Sequence, residues 1–201
     1  MSDSTPRLPL IYLARHGQTA WSETGQHTGS TDIPLNERGE RNARRLGQRL
    51  GGRKFDLVLT SPLGRAKRTC ELAGYAEVAE VDADLVEWGY GDYEGVTSAD
   101  IESQRPGWEL FRDGCPGGEP IASVSARVDR VIDRLRAVDG DALLFSHGHL
   151  LHVFAARWIG LDPSAGRGFD LGAGALSIVG YHRKRENPVV RLWNDCSHES
   201  D

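Results

Sequence analysis

The stretch LPLIYLARHG, residues 8–17, places a short apolar run directly before an arginine, a histidine and a glycine. Two later runs, FDLVLTS at 55–61 and DALLFS at 141–146, have the same character, and the second of them also ends at a histidine. Runs of this length are typical of buried strands. Patterns with apolar residues on one helical face separate them, over residues 43–50 and 124–135. Strands that alternate with helices predict an α/β fold with a mostly parallel sheet.

The remaining segments extend this pattern. Residues 150–161 predict a further helix, and the apolar runs at 175–182 and 188–194 predict a hairpin at a sheet edge. Residues 88–120 are irregular and rich in Gly, Trp and Pro, which suits a lid or a small insertion. With 201 residues and no linker or repeat, we expect a single domain over residues 1–201.

Composition limits the classes of partner. Lys and Arg total 24 against 29 for Asp and Glu, so a net charge of -5 provides no general attraction to nucleic acid or to an anionic membrane. No apolar stretch approaches the roughly 18 residues of a membrane span, and the N-terminus lacks a leader pattern, so we expect a cytoplasmic protein. Cys70, Cys115 and Cys196 are expected to be reduced, structural thiols. The edge hairpin leaves room for a homodimer.

Cations and imidazoles follow all three buried runs, where ligands bind in open α/β sheets. They are Arg15 and His16 after the first run, Arg65 after the second, and His147 and His149 after the third. Arginine forks match phosphate oxygens. A helix that begins near Pro62 would add its positive N-terminal end. The sequence therefore predicts an anion site, with phosphate as its best match.

Phosphoryl transfer also needs a nucleophile and an acid for the leaving oxygen. A histidine attacks through one ring nitrogen when an acceptor holds the other. The segment VEWGYGDYEG, residues 86–95, supplies Glu87 as the candidate acid, with Asp92 and Glu94 as competitors.

Five motifs in this order resemble the histidine phosphatase superfamily, the phosphoglycerate mutase-like group, over nearly the whole chain. They are RHGQTAWS, TGSTDIPLNERGE, TSPLGRAKRT, EWGYGDYEG and SHGH. The resemblance implies a three-layer α/β/α fold with a small insertion over the active site. It also implies a phosphohistidine at His16, a phosphate pocket from Arg15, Arg65 and His147, and Glu87 as proton donor, with no metal ion or other cofactor.

Departures from the mutase pattern favour a hydrolase. Trp88 follows Glu87 where mutases carry Arg, no lysine lies between Lys67 and Lys184, and His149 stands where mutases have Asn. Several segments resemble instead the sedoheptulose-bisphosphatase-type sugar phosphatases and broad acid phosphatases. This implies a metal-independent phosphatase whose partner is a small phosphorylated metabolite, a sugar phosphate or bisphosphate. The residues then expected on the substrate side are Gln18, Ser22, Gln26, His27, Thr28, Gly29, Tyr90, Gly148 and His149.

Other interpretations remain open at this stage. The family also contains mutases, which are isomerases. The HGH at residues 147–149, with His152 close behind, resembles the His-x-His pair of metal-dependent hydrolases. A binding module without turnover is a further alternative, against which the pairing of His16 with Glu87 argues. The arginines of residues 38–49 predict a solvated helix face rather than a nucleic-acid site.

Overall fold

A six-stranded sheet forms the centre of the computed structural model, which describes residues 7–199; the first six residues of the N-terminal segment lie outside it. The strands are β1 Ile11–Arg15, β2 Leu57–Thr60, β3 Ala79–Val81, β4 Ala142–Ser146, β5 Leu176–Tyr181 and β6 Pro188–Asp195. Their order is β3-β2-β4-β1-β5-β6. The first four strands of the chain run parallel, while β5 pairs antiparallel with both β1 and β6. The mostly parallel sheet and the terminal hairpin are both confirmed.

Seven α-helices connect or flank these strands in the described part of the chain. They are α1 Ala20–Thr24, α2 Glu37–Leu50, α3 Gly64–Leu72, α4 Ser98–Gln104, α5 Leu110–Asp113, α6 Ile121–Arg136 and α7 Gly148–Trp158. Short 3-10 turns lie at Ala76–Val78, Ala83–Leu85, Gly91–Tyr93, Pro163–Gly168 and Ser197–Glu199. None of the helices formed by residues 7–199 is long and apolar enough to cross a membrane.

The two faces of the sheet carry separate apolar cores, because successive strand residues point to opposite sides. Leu13 and Leu144 pack with the apolar stripes of α6 and α7. Ala14 and Phe145 pack on the other face with α2 and α3. Burying each leucine side chain fully stabilises the fold by about 1.5–3 kcal/mol. The three-layer α/β/α arrangement is therefore confirmed.

Three details differ from the sequence-based expectation. The edge strand β3 was not predicted, since its three residues are mostly exposed and form no apolar run. Helix α7 begins at Gly148, two residues before the predicted start, so its first turn carries His149. The irregular region 88–120 contains helices α4 and α5. Both helices contribute residues to cavities described below.

Candidate active site

The site lies at the carboxyl ends of β1 and β4, whose register places Arg15 opposite Ser146. His16 and His147, which directly follow these two residues, therefore lie side by side. The backbone N–H of His16 donates to the carbonyl of Ser146 across 2.9 Å. The rings of His16 and His147 lie with centroids 5.2 Å apart. The parallel pairing alone thus brings together the two histidines that the motifs predicted.

His16 is neutral, with one ring nitrogen free. Its Nδ1 lies 2.8 Å from the carbonyl oxygen of Gly17, which can only accept, so Nδ1 carries the proton and Nε2 keeps its lone pair. Burial lowers the pKa of His16 well below its ordinary value, and the charges of Arg15 and Arg65 lower it further. An imidazole with this tautomer is able to act as a nucleophile at Nε2.

His147 has the opposite tautomer. Its Nδ1 accepts a hydrogen bond from Nε of Arg65 at 3.2 Å, and an arginine can only donate. The proton therefore sits on Nε2, which donates to Oγ of Ser61 at 2.8 Å. Burial lowers the pKa of His147 well below its usual range, and the positive charge of Arg65 lowers it further. His147 is thus a neutral N–H donor next to the candidate nucleophile.

Arg65 is completely buried, and each of its guanidinium nitrogens has a partner inside the protein. Besides His147, it donates to the carbonyls of Thr28, Gly29 and Thr31 at 2.8–2.9 Å. Burial lowers the pKa of Arg65, and nearby carboxylates such as Glu87 oppose that shift. The residue ties the loop after α1 to the second histidine and adds a positive charge behind the site.

The N-terminal end of helix α3 was expected to add positive charge to the anion site, and this expectation is corrected because Asp32 occupies that end. Helix α3 begins at Gly64, and the carboxylate of Asp32 accepts from the amides of Gly64 at 2.7 Å and Arg65 at 3.4 Å. A carboxylate at this position satisfies the free amides of a helix start. No pattern of residues linked Asp32 to this helix, since Asp32 lies more than thirty positions earlier in the chain.

Glu87 is buried at the N-terminus of α7. Its carboxylate accepts from the backbone amides of Trp88 at 2.9 Å, Leu150 at 2.8 Å and His149 at 3.1 Å. Three backbone donors fix the orientation of the carboxylate next to the cavity that His16 lines.

The two competing carboxylates, Asp92 and Glu94, lie outside the cavity wall. Oε1 of Glu94 accepts from the amides of Gly29 and Thr31 at 2.8 and 2.9 Å, so Glu94 holds the loop whose carbonyls bind Arg65. Asp92 is exposed and does not line the cavity. Of the three candidate acids, only Glu87 lies in the cavity wall with His16.

Arg15 is the arginine that lines this cavity. One of its Nη atoms donates to the carbonyl of Leu171, while its buried Nε has no hydrogen-bond partner among residues 7–199. Burial lowers the pKa of Arg15, although Glu87 and Tyr90 oppose the shift. A Cβ on Gly148 would approach the guanidinium carbon to 3.3 Å, so the glycine leaves room for Arg15. An unpaired donor beside the nucleophile is suited to an anionic ligand.

The cavity has a volume of about 230 Å³ and brings most of the predicted residues together. Those in its wall are Arg15, His16, Ser22, Gln26, His27, Thr28, Glu87, Tyr90, Gly148 and His149. Arg65 and His147 are buried outside the wall. Gln18 and Gly29 do not line it: Gln18 accepts from the side chain of Asn36, and Gly29 contacts Glu94.

Residues that were not predicted complete the wall. They are Gly25, Ser98, His152, Asp170 and Leu171. His152 follows His149 by three positions on α7, a spacing that puts both on one helix face, so this residue had a readable signal. Asp170 and Ser98 come from loops and helix starts far away in the chain, and no pattern connected them to the site.

A group of neutral imidazoles and a phenol forms part of the cavity wall. Nδ1 of His27 donates to the carbonyl of Val96 at 2.7 Å, and the hydroxyl of Tyr90 lies 2.6 Å from Nδ1 of His149. Burial lowers the pKa of His149 to about 3 and that of His152 to about 3. Burial also raises the pKa of Tyr90 well above its ordinary value. This part of the wall therefore offers hydrogen bonds without charge at neutral pH.

The HGH motif does not form a metal cluster in the described structure. Both ring nitrogens of His147 are taken by Arg65 and Ser61, and Nδ1 of His149 is bonded to Tyr90. Across residues 7–199, no group of three or more His, Cys, Asp or Glu side chains is placed to hold a metal ion.

Comparisons with known proteins identify an enzyme that hydrolyses phosphomonoesters. The chain is 37% identical over 187 residues to an acid phosphatase of Mycobacterium tuberculosis, covering 90% of this chain and 92% of the relative. It is 37% identical over 194 residues to sedoheptulose 1,7-bisphosphatase of Saccharomyces cerevisiae, covering 80% and 70%. The solved structure of a mycobacterial glucosyl-3-phosphoglycerate phosphatase superposes with a TM-score of 0.81 at 27% identity, covering 94% and 99%.

The family follows from a match over almost the full length. Residues 11–196 match the model of the histidine phosphatase superfamily, branch 1. The chain belongs to this superfamily, as its five motifs indicated.

Proposed function

We propose that the protein is a metal-independent phosphatase that releases phosphate from small sugar phosphates through a phosphohistidine at His16. The observation that carries this proposal is the tautomer of His16: Nδ1 donates to a carbonyl, so a neutral Nε2 is free in a cavity shared with Arg15 and Glu87. A nucleophile, a cation and a carboxyl group at one cavity are the parts that phosphoryl transfer to a side chain requires.

The reaction has two steps. In the first, Nε2 of His16 attacks phosphorus, the bond to the substrate oxygen breaks, and Glu87 in its protonated form gives its proton to that oxygen. In the second, the Glu87 carboxylate takes a proton from water, the water oxygen attacks phosphorus, and the bond to Nε2 breaks. Phosphate leaves, and both His16 and Glu87 return to their starting forms.

Three further residues are proposed to stabilise the charge on the phosphoryl oxygens, two by hydrogen bonds and Arg65 from behind the cavity wall. Arg15 lines the cavity and has an unpartnered Nε. His147 gives its Nε2–H to a phosphoryl oxygen when that donor leaves Ser61. Arg65 fixes the tautomer of His147 and adds positive charge from behind. Removing one group of this kind from a transition state typically costs about a hundredfold to a thousandfold in rate.

The substrate class rests on the relatives and on the cavity. Two of the relatives above are named for phosphorylated sugars. In this chain Ser22, Gln26, Thr28 and Tyr90 offer hydroxyl and amide groups to a hydroxylated substrate. Gly148 and His149 complete that wall, while Gln18 and Gly29 act from behind it through Asn36 and Glu94.

The test is phosphate release from a panel of an aryl phosphate, sugar mono- and bisphosphates and 3-phosphoglycerate, with a chelator present throughout. We expect release from aryl and sugar phosphates that is unaffected by the chelator and disappears in His16→Ala. The exposed His182, in the turn between β5 and β6, provides the control variant His182→Ala. Wild-type enzyme that is denatured in alkali during turnover should carry acid-labile, alkali-stable phosphate.

Other outcomes identify the rival functions. Conversion of 3-phosphoglycerate to its isomer faster than phosphate release would make the protein a mutase. Loss of activity in the chelator would indicate a metal-dependent hydrolase. Binding of phosphorylated sugars with no turnover in the wild type would leave a binding module.

Location and assembly are proposed from the free thiols and from the edge of the sheet. Cys70, Cys115 and Cys196 are all free, as suits the reducing cytoplasm. The outer edge of β6 is available for sheet contacts with a second copy, so we propose a homodimer, which light scattering of the purified protein tests.

A further inference from the structure

A second cavity, of about 590 Å³, adjoins the first. The two share His27, Ser98, His149 and His152 in their walls, so they form one continuous space. The first cavity contains the reacting groups and is the smaller one. The second is large enough for a small metabolite, since ligand pockets commonly measure about 300–1,000 Å³. It therefore lies where the part of the substrate beyond the phosphoryl group would extend.

The charged side chains of the second cavity are mostly acidic. Among its described lining residues, Glu102 and Glu109 face a single cation, Arg167. Asp170 adds a carboxylate in the first cavity, on the wall that also contains His152. Burial lowers the pKa of each histidine shared by the two cavities, which favours the neutral imidazole. Apart from Arg15, the charged side chains that line the two cavities therefore carry a net negative charge.

The second cavity also contains apolar ring surface and polar atoms without partners. Trp108, Phe111 and Phe169 line it. Oε2 of Glu109 and Nε2 of His152 are buried and have no hydrogen-bond partner among the described residues. Unpaired polar atoms of lining residues favour a ligand that brings hydroxyl groups to them.

We infer that the second cavity binds the leaving group as an uncharged, hydroxyl-bearing moiety and selects monophosphates over bisphosphates and phospho-acids. This inference rests on the proposed function. Aromatic rings pack against the carbon faces of a sugar, and carboxylate and imidazole accept from its hydroxyls. A second phosphate would instead lie among Glu102 and Glu109, where like charges repel it. The specificity-determining residues are these two glutamates.

The experiment compares kcat/KM for a hexose 6-phosphate and a hexose 1,6-bisphosphate in the wild type and in the double variant Glu102→Gln, Glu109→Gln. Glutamine at 109 retains an oxygen for the amide of Phe111, which Glu109 Oε1 now caps at 2.9 Å, so α5 keeps its start. Glu102 is exposed and tolerates the change. The control is Glu77→Gln, because Glu77 is exposed and lines neither cavity.

We expect the wild type to prefer the monophosphate by about tenfold or more, and the double variant to narrow that ratio by about fivefold or more. The ratio in Glu77→Gln should match the wild type. A wild-type preference for the bisphosphate, or a ratio that the double variant leaves unchanged, would overturn the inference. Failure of the proposed function looks different: no phosphate is released from the aryl phosphate either, or release persists in His16→Ala.

Discussion

Nε of Arg65 donates to Nδ1 of His147 across 3.2 Å, and this bond determines which nitrogen of His147 carries the proton. The same guanidinium binds three carbonyls of the loop at residues 28–31. One buried side chain therefore fixes both a proton position and a loop.

Arg65→Lys should reduce kcat/KM by about a hundredfold or more, because an ammonium cannot hold His147 and the loop carbonyls at the same time. The free energy of unfolding should fall by about 1–3 kcal/mol, since buried carbonyls lose their donor. Phosphate release and urea denaturation measure the two effects. Lys67→Ala, on the exposed side of the same helix, is the control. Near wild-type activity in Arg65→Lys would mean that His147 needs no fixed tautomer.

Stability should decrease as the pH falls below neutrality. Burial depresses the pKa of His149 and of His152 to about 3, whereas the unfolded chain titrates near 6.5. Between those values the unfolded state binds more protons, so the free energy of unfolding falls with decreasing pH, by up to about 1.4 kcal/mol per pH unit for each such histidine.

Urea denaturation between pH 7 and pH 5 checks this dependence. In His152→Gln the free energy of unfolding should depend less steeply on pH, because about one proton fewer is taken up on unfolding. His182→Gln, on the exposed hairpin turn, should leave the slope unchanged. An unchanged slope in His152→Gln would show that His152 is protonated in the folded protein.

Glu87→Gln should slow hydrolysis most for substrates with poor leaving groups. Glutamine still accepts from the amide of Leu150, as Glu87 does at 2.8 Å, but it gives no proton to the departing oxygen. We expect a loss of about a hundredfold to ten-thousandfold with alkyl phosphates and a much smaller one with activated aryl phosphates. A plot of log kcat/KM against leaving-group pKa should be steeper in the variant. If the plots of the wild type and the variant are parallel, Glu87 is not the acid that protonates the leaving group.

Arg127→Met should destabilise the protein and misplace Glu87. Arg127 is buried on α6; it donates to the carbonyls of Val86 at 2.6 Å and Glu87 at 3.1 Å, and to both carboxylate oxygens of Glu119. Removing one partner of a largely buried ion pair costs about 3–5 kcal/mol.

The matched control for this change is Arg130→Met, one turn later on α6. Arg130 is exposed and pairs with Asp84, a contact worth at most about 1 kcal/mol. Both variants are compared by urea denaturation and by the leaving-group dependence of kcat/KM. Equal effects of the two substitutions would show that Arg127 has no special part in holding the acid.

Apolar periodicity predicted the fold, and the ends of the predicted strands predicted where His16 and His147 lie. The run before Arg15 and the run before His147 become neighbouring parallel strands, and this pairing alone places His16 beside His147. Apolar periodicity indicates which residues of a strand or helix are buried, and the strands and helices predicted from it are buried in the two cores.

The remaining features depend on which donor meets which acceptor, and this is set by tertiary contacts. Asp32 caps α3 and Glu94 binds the amides of Gly29 and Thr31, although nothing in the sequence links these positions. Gln18 lies within the first motif, yet its side chain turns towards Asn36 and away from the cavity. Short exposed elements such as β3 leave no apolar pattern to read.

Helix α7 has a consequence for how this enzyme can change over evolution. Its first amides hold Glu87, while His149 and His152 on the same two turns line the space for the leaving group. A shift of the helix that admits a new substrate also displaces Glu87, the proposed proton donor. New substrate preferences are therefore more accessible through the opposite wall, at α4 and α5, where exchanges leave the helix that carries the chemistry in place.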